Sequence, residues 1–379
     1  MELKRIWMEV KNKYQMRLAA GRKGLERQID WVHIIEDVQV AEFLRGGELV
    51  FTTGIVGREE YLLELGKRLW KKEACGLAVN LGPYIGRVPE ELLEFGDKKG
   101  FPIFTIPWEI RLVDVTRALT TRLNEYEQTE KTLNQAVENA IFRSAVPELY
   151  LPYMMRCGYP EEANYQIAVI DVERIRKDCS QSRRILWNVR EELQGMPFPV
   201  VVFWQEERLL LLFGQDSVPL CRERMERIMQ MGRDRHLGFQ AGVGPVVTTL
   251  PCLPRSYEHA VGALNLAKRK GEKLLNYEDF GIYKIIMDVQ DRKMLDRYCR
   301  EMLGPVLDYD QKKQTDYAQI LREYVETGGS VREMAQNRFC HRNTIHYKLQ
   351  KIRELLPVDL DDMVKRSEIL LAFQILDCL

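Results

Sequence analysis

One short segment near the end of the chain constrains the fold more than any other. Gly328 and Gly329 predict the end of a helix, because glycine adopts left-handed dihedral angles without strain. Ser330 followed by Glu333 has the spacing of a capping box, which begins a new helix. A turn at Arg338–Cys340 leads into another helix. Two short helices joined by such a turn predict a helix-turn-helix.

The apolar and charged residues of this segment support the same fold. The inward positions of the two helices are Val331, Met334 and Ala335, and then Ile345, Leu349 and Ile352. From Met334 to Arg353 there are five lysines and arginines and no acid. The whole chain has 56 basic and 56 acidic residues, which excludes a protein that coats nucleic acid through its net charge. Any role on DNA must therefore rest on this local patch.

The outward face of the second helix carries side chains that hydrogen-bond to base edges or phosphates. These candidate DNA-binding residues are His341, Arg342, Asn343, Thr344, His346, Tyr347, Lys348 and Lys351. The helix end at His341 and Arg342 would enter the major groove first, whereas Lys348 and Lys351 suit phosphate contacts. The alternative is a solvated amphipathic helix in an ordinary helical subdomain.

The first part of the chain alternates short apolar runs with helical patterns. This order predicts a mostly parallel sheet covered by helices. The predicted strands are Val32–Glu36, Glu48–Thr52, Gly76–Leu81 and Phe101–Ile106, and the predicted helices are Glu59–Lys72 and Pro89–Lys99.

Polar residues follow three of these strands. Because ligands bind at the carboxyl ends of parallel strands, we expect an effector site there. Its candidate ligand-binding residues are Thr52, Thr53, Gly54, Asn80, Gly82 and Glu109. The alternative is a set of ordinary strand-to-helix turns, in which glycine, asparagine and threonine are common.

A long helix is predicted at Val113–Phe142, which contains no proline or glycine. Apolar residues recur along it at heptad spacing: Leu119, Tyr126, Leu133 and Ala140, with Leu123 and Val137 offset by four. This pattern fits either a coiled-coil seam between two subunits or a linker helix packed on its own domain.

The middle of the chain predicts a β-α-β-β-α-β order, which is that of a ferredoxin-like unit. Its main strands are predicted at Tyr165–Val172, Val200–Trp204, Leu209–Phe213 and Phe239–Val243, with an edge strand at Leu274–Tyr277. We expect a linker at Asp308–Gln314 and only helices after it. The predicted fold class is therefore α/β and α+β multidomain, with an all-α C-terminal domain.

These motifs resemble a known family over the whole chain. The C-terminal motif reads His341-Arg342-Asn343-Thr344-Ile345-His346-Tyr347-Lys348-Leu349, followed by Ile352, Leu355 and Asp359-Leu360. It resembles the helix-turn-helix of PucR/CdaR-type bacterial transcriptional regulators. That helix pair is in turn similar to the one in Fis. The family's usual pattern has arginine where this chain has His346 and Lys348. Lysine keeps the charge but lacks the bidentate fork of arginine.

Two further matches extend the resemblance. The N-terminal segments Gly46–Gly54 and Phe101–Pro107 are similar to a PucR domain, and Tyr257–Leu264 and Tyr277–Gly281 are similar to a degenerate GGDEF-like domain. The resemblance implies a sensor domain at 1–112, a linker helix at 113–145, a GGDEF-like domain at 146–303 and a DNA-binding domain at 315–379.

We expect no enzyme in the middle domain. A diguanylate cyclase needs an acid after the first strand, where Asp171 lies, and a glycine-containing hairpin, but the hairpin here reads Trp204-Gln205-Glu206-Glu207-Arg208. We also expect no metal and no cofactor, because the eight cysteines lack metal-ligand spacing. The alternatives are a residual nucleotide-handling enzyme and a protein-interaction scaffold that uses the apolar run Ile369–Phe373.

The resemblance implies a ligand-responsive, sequence-specific transcriptional regulator, an activator of catabolic genes that senses a nitrogen-rich metabolite such as a purine catabolite or an amino acid. The implied partners are promoter DNA, a small-molecule effector and a second copy of the chain, as a homodimer or a higher oligomer. We expect no membrane partner, because no apolar run reaches the roughly 18 residues of a membrane span. We expect a cytoplasmic location, because Met1–Arg17 lacks the pattern of a signal peptide.

Overall fold

The chain folds into two units, each with a sheet of its own. This computed structural model describes residues 1–56, 59–173, 179–289, 291–356 and 358–378. One unit comprises Met1–Val137 with Asp178–Trp187, and the other comprises Glu138–Lys177 with Asn188–Leu379. Both mix helices with strands, and the chain ends in a run of helices, which confirms the predicted fold class.

The first unit contains a five-stranded sheet in the order β1-β5-β4-β3-β2. Its strands are β1 (Arg17–Ala20), β2 (Trp31–Ile34), β3 (Glu48–Thr52), β4 (Gly76–Leu81) and β5 (Ile103–Pro107). Strands β2 to β5 are parallel, and β1 is antiparallel to β5. The carboxyl ends of β3, β4 and β5 therefore lie side by side at one edge, as the sequence predicts.

Helices cover both faces of this sheet. They are α1 (Leu3–Val10), α2 (Glu59–Lys71), α3 (Glu90–Lys99) and α4 (Leu112–Phe142). Side chains alternate along a strand, so Leu49 and Phe51 pack with α1 and α4, whereas Val50 packs with α2 and α3. The result is a three-layer arrangement with an apolar core on each side of the sheet.

The sequence prediction missed α1 and β1. Helix α1 buries Leu3, Ile6 and Val10, but charged residues lie between them and obscure the apolar periodicity. Strand β1 has four residues, of which only Ala20 is buried, so it has almost no apolar pattern. The strand predicted at Val32–Glu36 is observed at Trp31–Ile34.

The second unit contains a sheet in the order β11-β9-β6-β8-β7, with β10 also paired to β6. Its strands are β6 (Glu162–Val172), β7 (Val201–Gln205), β8 (Arg208–Gly214), β9 (Phe239–Val243), β10 (Val247–Thr249) and β11 (Leu274–Asn276). Strand β6 lies between β8 and β9 and is antiparallel to both, which is the ferredoxin-like arrangement that the sequence predicts. The short strand β10 was not predicted.

Helix α8 packs very closely on β9 of this sheet. Helix α8 is Leu253–Lys270, and the helices between α4 and α8 are α5 (Leu151–Arg156), α6 (Cys179–Glu192), whose residues up to Trp187 belong to the first unit, and α7 (Cys221–Asp234). A Cβ atom on Gly242 would lie 2.1 Å from the carbonyl oxygen of Ala260 and 2.3 Å from the backbone nitrogen of Leu264. Only glycine therefore allows α8 to lie at its observed distance from the strand.

After β11, the α-helices of the described residues are α9 (Tyr283–Asp288), α10 (Arg292–Lys313), α11 (Tyr317–Glu326), α12 (Val331–Asn337), α13 (Arg342–Leu355) and α14 (Met363–Leu376). The linker predicted at Asp308–Gln314 is wrong, because α10 continues through Pro305 to Lys313. Leu303 and Val306 are buried in the helical core, and this packing offsets the helix-breaking effect of the proline.

Within the described residues, no helix is long and apolar enough to cross a membrane.

Helix α4 uses most of its heptad residues inside the chain. Leu119 and Leu123 are buried in the core of the first unit, and Val137 and Ala140 are also buried. These four side chains are therefore unavailable to a second subunit.

The close approach of α8 to β9 gives a stability prediction. Gly242→Ala should lower the free energy of unfolding by about 1–3 kcal/mol, because backbone atoms of α8 must move. Urea unfolding followed by circular dichroism measures this change. Gly86→Ala is the control, since nothing lies within 4 Å of its added Cβ. Equal free energies of unfolding for the two variants would show that α8 can move away from β9 without loss of stability.

Candidate functional site

The helix-turn-helix is held in place by its caps and by a buried core. Ser330 Oγ accepts a hydrogen bond from the Glu333 backbone at 3.3 Å and begins α12. His341 Nδ1 accepts one from the Asn343 backbone at 3.3 Å and begins α13. The predicted inward residues are buried together with residues of α10, α11 and α14; they include Met334, Ala335, Ile345, Leu349 and Ile352. The position of α13 is therefore fixed by its inner face.

Most of the predicted DNA-binding residues lie on the exposed face of α13. They are His341, Arg342, Asn343, Thr344, His346 and Tyr347, and Tyr347 is 60% exposed. A groove of about 540 Å³ runs between the start of α13 and helix α12. It is lined by Arg332, Ala335, Gln336, Cys340, His341, Arg342, Asn343 and His346. The first two turns of α13 thus present donors, acceptors and a guanidinium together.

The two predicted phosphate-binding lysines are bound to carboxylates. Lys348 Nζ lies 2.6 and 2.8 Å from the two carboxylate oxygens of Asp316, just before α11. Lys351 Nζ lies 2.8 Å from Glu354 Oε2 on the same helix. Lys348 is half-buried, whereas the exposed pair of Lys351 is of the kind that contributes little to stability. Lys348 therefore differs from the exposed residues of α13, because it is half-buried and its ammonium is bound to a carboxylate.

The charge of Asp316 is set by its surroundings. Burial opposes ionisation of this carboxyl group, but the ammonium of Lys348 and the guanidinium of Arg338 outweigh it and hold the pKa of Asp316 below its usual value. The Asp316 carboxylate is consequently charged at neutral pH and keeps both cations close to it.

At the sheet edge of the first unit, the predicted donors are bound by a residue that the sequence analysis missed. The Glu36 carboxylate accepts hydrogen bonds from Thr53 N and Oγ1 at 2.8 Å each, from Thr52 Oγ1 at 3.1 Å and from Gly54 N at 3.1 Å. Gly54 has φ of +71°, which directs consecutive N–H groups to one point and forms an anion-binding nest. Glu36 follows a different strand, so no local pattern connects it with Thr52–Gly54.

Tyr61 completes this arrangement. Its hydroxyl donates to the backbone carbonyl of Glu36. Burial and the nearby Glu36 carboxylate raise the pKa of Tyr61 to about 12, so that it remains a neutral donor. The nest is thus filled by a carboxylate of the chain itself.

The other three predicted ligand-binding residues lie at the ends of β4 and β5. Asn80 is buried, and its Nδ2 donates to the carbonyl oxygens of Ile106 at 3.3 Å and Pro107 at 3.0 Å. Gly82 lies against the indole of Trp108, and a Cβ there would be 2.4 Å from the ring. Glu109 is exposed. Trp108 and Tyr84 form an edge-to-face pair with centroids 5.8 Å apart, so this edge also presents aromatic surface.

In the ferredoxin-like part, the acid at the cyclase-like position is neutralised. Asp171 lies near the end of β6 and forms an ion pair with Lys268 of α8. The hairpin between β7 and β8 turns at Glu206 and Glu207, and Glu206 has φ of +55°. Among the described residues, no group of three or more His, Cys, Asp or Glu is placed to hold a metal ion.

The last helix connects the helix-turn-helix with α8 and α9. Arg322 of α11 donates to both carboxylate oxygens of Asp377, at 2.9 and 2.6 Å, and the Tyr283 hydroxyl donates to the same carboxylate at 3.1 Å. Arg269 of α8 donates to the carbonyl of Leu376 at 2.6 Å. Burial and the Asp377 carboxylate raise the pKa of Tyr283, which stays protonated and continues to donate.

The nest around Glu36 gives a second stability prediction. Glu36→Gln should lower the free energy of unfolding by about 1–3 kcal/mol, because an amide leaves at least one of the four donors unsatisfied. Urea unfolding of the full chain measures the loss. Glu109→Gln, an exposed change at the same edge, should alter stability far less. If both variants were as stable as the original chain, the four hydrogen bonds would not stabilise this edge.

Three family models match consecutive segments of the chain. They describe the purine catabolism regulatory protein-like family at residues 8–123, the GGDEF-like domain at 153–266 and the PucR C-terminal helix-turn-helix domain at 317–375. Their order is the one that the sequence resemblance implies.

Relatives from Bacillus subtilis match parts of the chain. The purine catabolism regulatory protein is 30% identical over 122 residues, which are 32% of this chain and 23% of that protein. The DNA-binding transcriptional activator AdeR is 22% identical over 34% of this chain and 31% of its own length. The proline-responsive transcriptional activator PutR is 24% identical over 34% of this chain and 32% of its own length. The matches thus span a third or less of each relative.

Together the three models cover the sheet with the Glu36 nest, most of the ferredoxin-like sheet and the helices around α13. The chain therefore belongs to the PucR-type family, with a PucR domain, a GGDEF-like domain and a PucR C-terminal helix-turn-helix.

Proposed function

We propose that this protein is a sequence-specific DNA-binding transcriptional regulator. The observation that carries the proposal is the exposed face at the start of α13, from His341 to Tyr347, on a helix whose inner face is buried. The N-terminal part of the second helix contacts base edges in this motif. Arg342 and Asn343 offer the groups that pair with guanine and adenine in the major groove.

The working form is a homodimer or a higher oligomer in the bacterial cytoplasm. One short recognition helix reads only a few base pairs, so two copies are needed to specify a promoter site. The relatives described as transcriptional activators favour activation of catabolic genes as the mode of action.

The effector is a nitrogen-rich metabolite, a purine catabolite or an amino acid, bound at the strand ends of the PucR domain. The names of two relatives, which mention purine catabolism and proline, support these two classes. Thr52, Thr53, Gly54, Asn80, Gly82 and Glu109 are the candidate contacts. With Glu36 already in the nest, an anionic effector would have to displace its carboxylate.

The GGDEF-like domain has no enzymatic role in this proposal. The Asp171 carboxylate is paired with Lys268, and the hairpin at Glu206 and Glu207 lacks the glycines that let a nucleotide approach the backbone. A domain of this kind serves to connect the effector site with the DNA-binding helices.

DNA binding is tested by fluorescence anisotropy with a duplex selected from random sequences by the full chain. Arg342→Ala should weaken binding by about 1–3 kcal/mol, roughly 5- to 150-fold, and relax specificity at one base pair. Arg227→Ala, which removes an exposed arginine of α7, is the control and should bind as the original chain does. Equal affinities of all three proteins would remove α13 from the interface.

Effector binding is tested by the thermal midpoint of the full chain with purine catabolites and amino acids. A ligand at about 100 times its Kd adds roughly 2.7 kcal/mol of stability and should raise the midpoint by a few degrees. The double variant Thr53→Ala with Asn80→Ala should lose this response, whereas Glu94→Ala on α3 should keep it. A full response in the double variant would contradict the placement of the site.

A further inference from the structure

Asp316 stands at the start of α11 but does not cap it. A residue at this position ordinarily accepts hydrogen bonds from the first backbone N–H groups of the helix. Here Asp310 takes that role: its carboxylate accepts from Tyr317 N at 2.9 Å and from Ala318 N at 2.7 Å. The Asp316 side chain makes no hydrogen bond to the helix. Its carboxylate is therefore available to other partners.

These partners are two cations of the helix-turn-helix. Both carboxylate oxygens of Asp316 bind the ammonium of Lys348, and Arg338 Nη1 lies 3.1 Å from Asp316 Oδ2. Arg338 is also held by Glu323 through its Nε. Lys348 thus depends on Asp316 alone among the ion pairs of the described residues, whereas Arg338 has a second carboxylate.

This pairing neutralises the charge of Lys348, which is then not available on the face of α13 that is proposed to contact DNA. A lysine whose charge is neutralised by an internal carboxylate attracts a phosphate less strongly, and each phosphate contact adds about 0.9 to the magnitude of the slope of log affinity against log salt for duplex DNA. Such contacts strengthen binding to every sequence equally. A lysine held by an internal carboxylate contributes neither affinity nor slope.

We propose that Asp316 is a positioning residue that determines specificity. Its carboxylate competes with the phosphates of DNA for Lys348 and keeps this lysine away from them. The inference rests on the proposed function. It assigns binding to the first two turns of α13 and keeps affinity for DNA of arbitrary sequence low. Specific binding therefore stands out more clearly against binding to the rest of the genome.

The experiment uses the full chain and a short duplex of random sequence, with Kd measured by anisotropy over a series of KCl concentrations. Asp316→Asn should release Lys348, bind the random duplex more tightly and steepen the salt slope by about 0.9. Arg338 stays on Glu323 in this variant, so the new contact belongs to Lys348. The double variant Asp316→Asn with Lys348→Met should return to the original slope. A general loosening of the fold would not explain this pair of results, because it would not create a phosphate contact that depends on Lys348.

A matched control removes another acid that pairs with α13. Asp361 lies 3.2 Å from Arg353 Nη2. Arg353 is eleven residues beyond Arg342, about 16 Å along the helix, and so lies away from the end that enters the groove. Asp361→Asn should leave the salt slope unchanged. A slope that rises equally in both aspartate variants would mean that loss of any negative charge suffices and would overturn the proposal.

Lys348→Met by itself gives an independent test that leaves Asp316 intact. It should leave the slope of the original chain unchanged, because the lysine makes no phosphate contact there. A decrease of about 0.9, or no change of slope in Asp316→Asn, would overturn the inference. Neither result touches the proposed function, which is tested separately by the affinity of Arg342→Ala for the selected duplex.

Discussion

In the proposed function, the pairing of Lys348 and Arg338 with carboxylates determines which surface of this protein is available to DNA. The chain carries equal numbers of basic and acidic residues, and near α13 the acids are not spread evenly. Asp316 and Glu323 lie beside the flank of the motif and hold Lys348 and Arg338. The first two turns of α13 face no such acid among the ion pairs of the described residues. A chain without net charge thereby keeps the guanidinium of Arg342 exposed at the start of a helix.

Helix α14 links this surface with the domain before it. Ile369 and Phe373 are buried in the core that supports α13, whereas Ile375 is buried in a second cluster with residues of α8, α9 and α10. Asp377 then binds Arg322 of α11 and Tyr283 of α9. Turning helices α11 to α13 relative to α8 would break these contacts, so the positions of these helices and of α8 are coupled energetically.

Much of the fold could be predicted from periodicity. The parallel strands β3, β4 and β5, the ferredoxin-like order and the helix-turn-helix all have strong local patterns of apolar residues and caps. The failures have physical causes. Charges interrupt the pattern of α1, and the burial of Leu303 and Val306 keeps α10 helical through Pro305 and into the predicted linker. Local propensity is weaker than tertiary packing at such places.

The candidate sites, like the fold, could be predicted from the sequence only in part. The exposed residues of α13 follow from helical spacing, because the inward positions Ile345, Leu349 and Ile352 fix which face is outward. The partners of these sites do not follow. Glu36 is 17 residues from Thr53, and Asp316 is 32 residues from Lys348, so each pair exists only through the fold. The sequence pattern predicts a phosphate contact for Lys348 and cannot show that Asp316 binds its ammonium.

The central claim is that the start of α13 lies in the DNA groove. Photo-crosslinking tests it most directly, with a photoreactive amino acid in place of Tyr347, whose side chain is 60% exposed on that face. A covalent adduct with the selected duplex is predicted at this position and not at Arg227 on α7. Adducts from Arg227 with none from position 347 would contradict the account and place DNA on another surface.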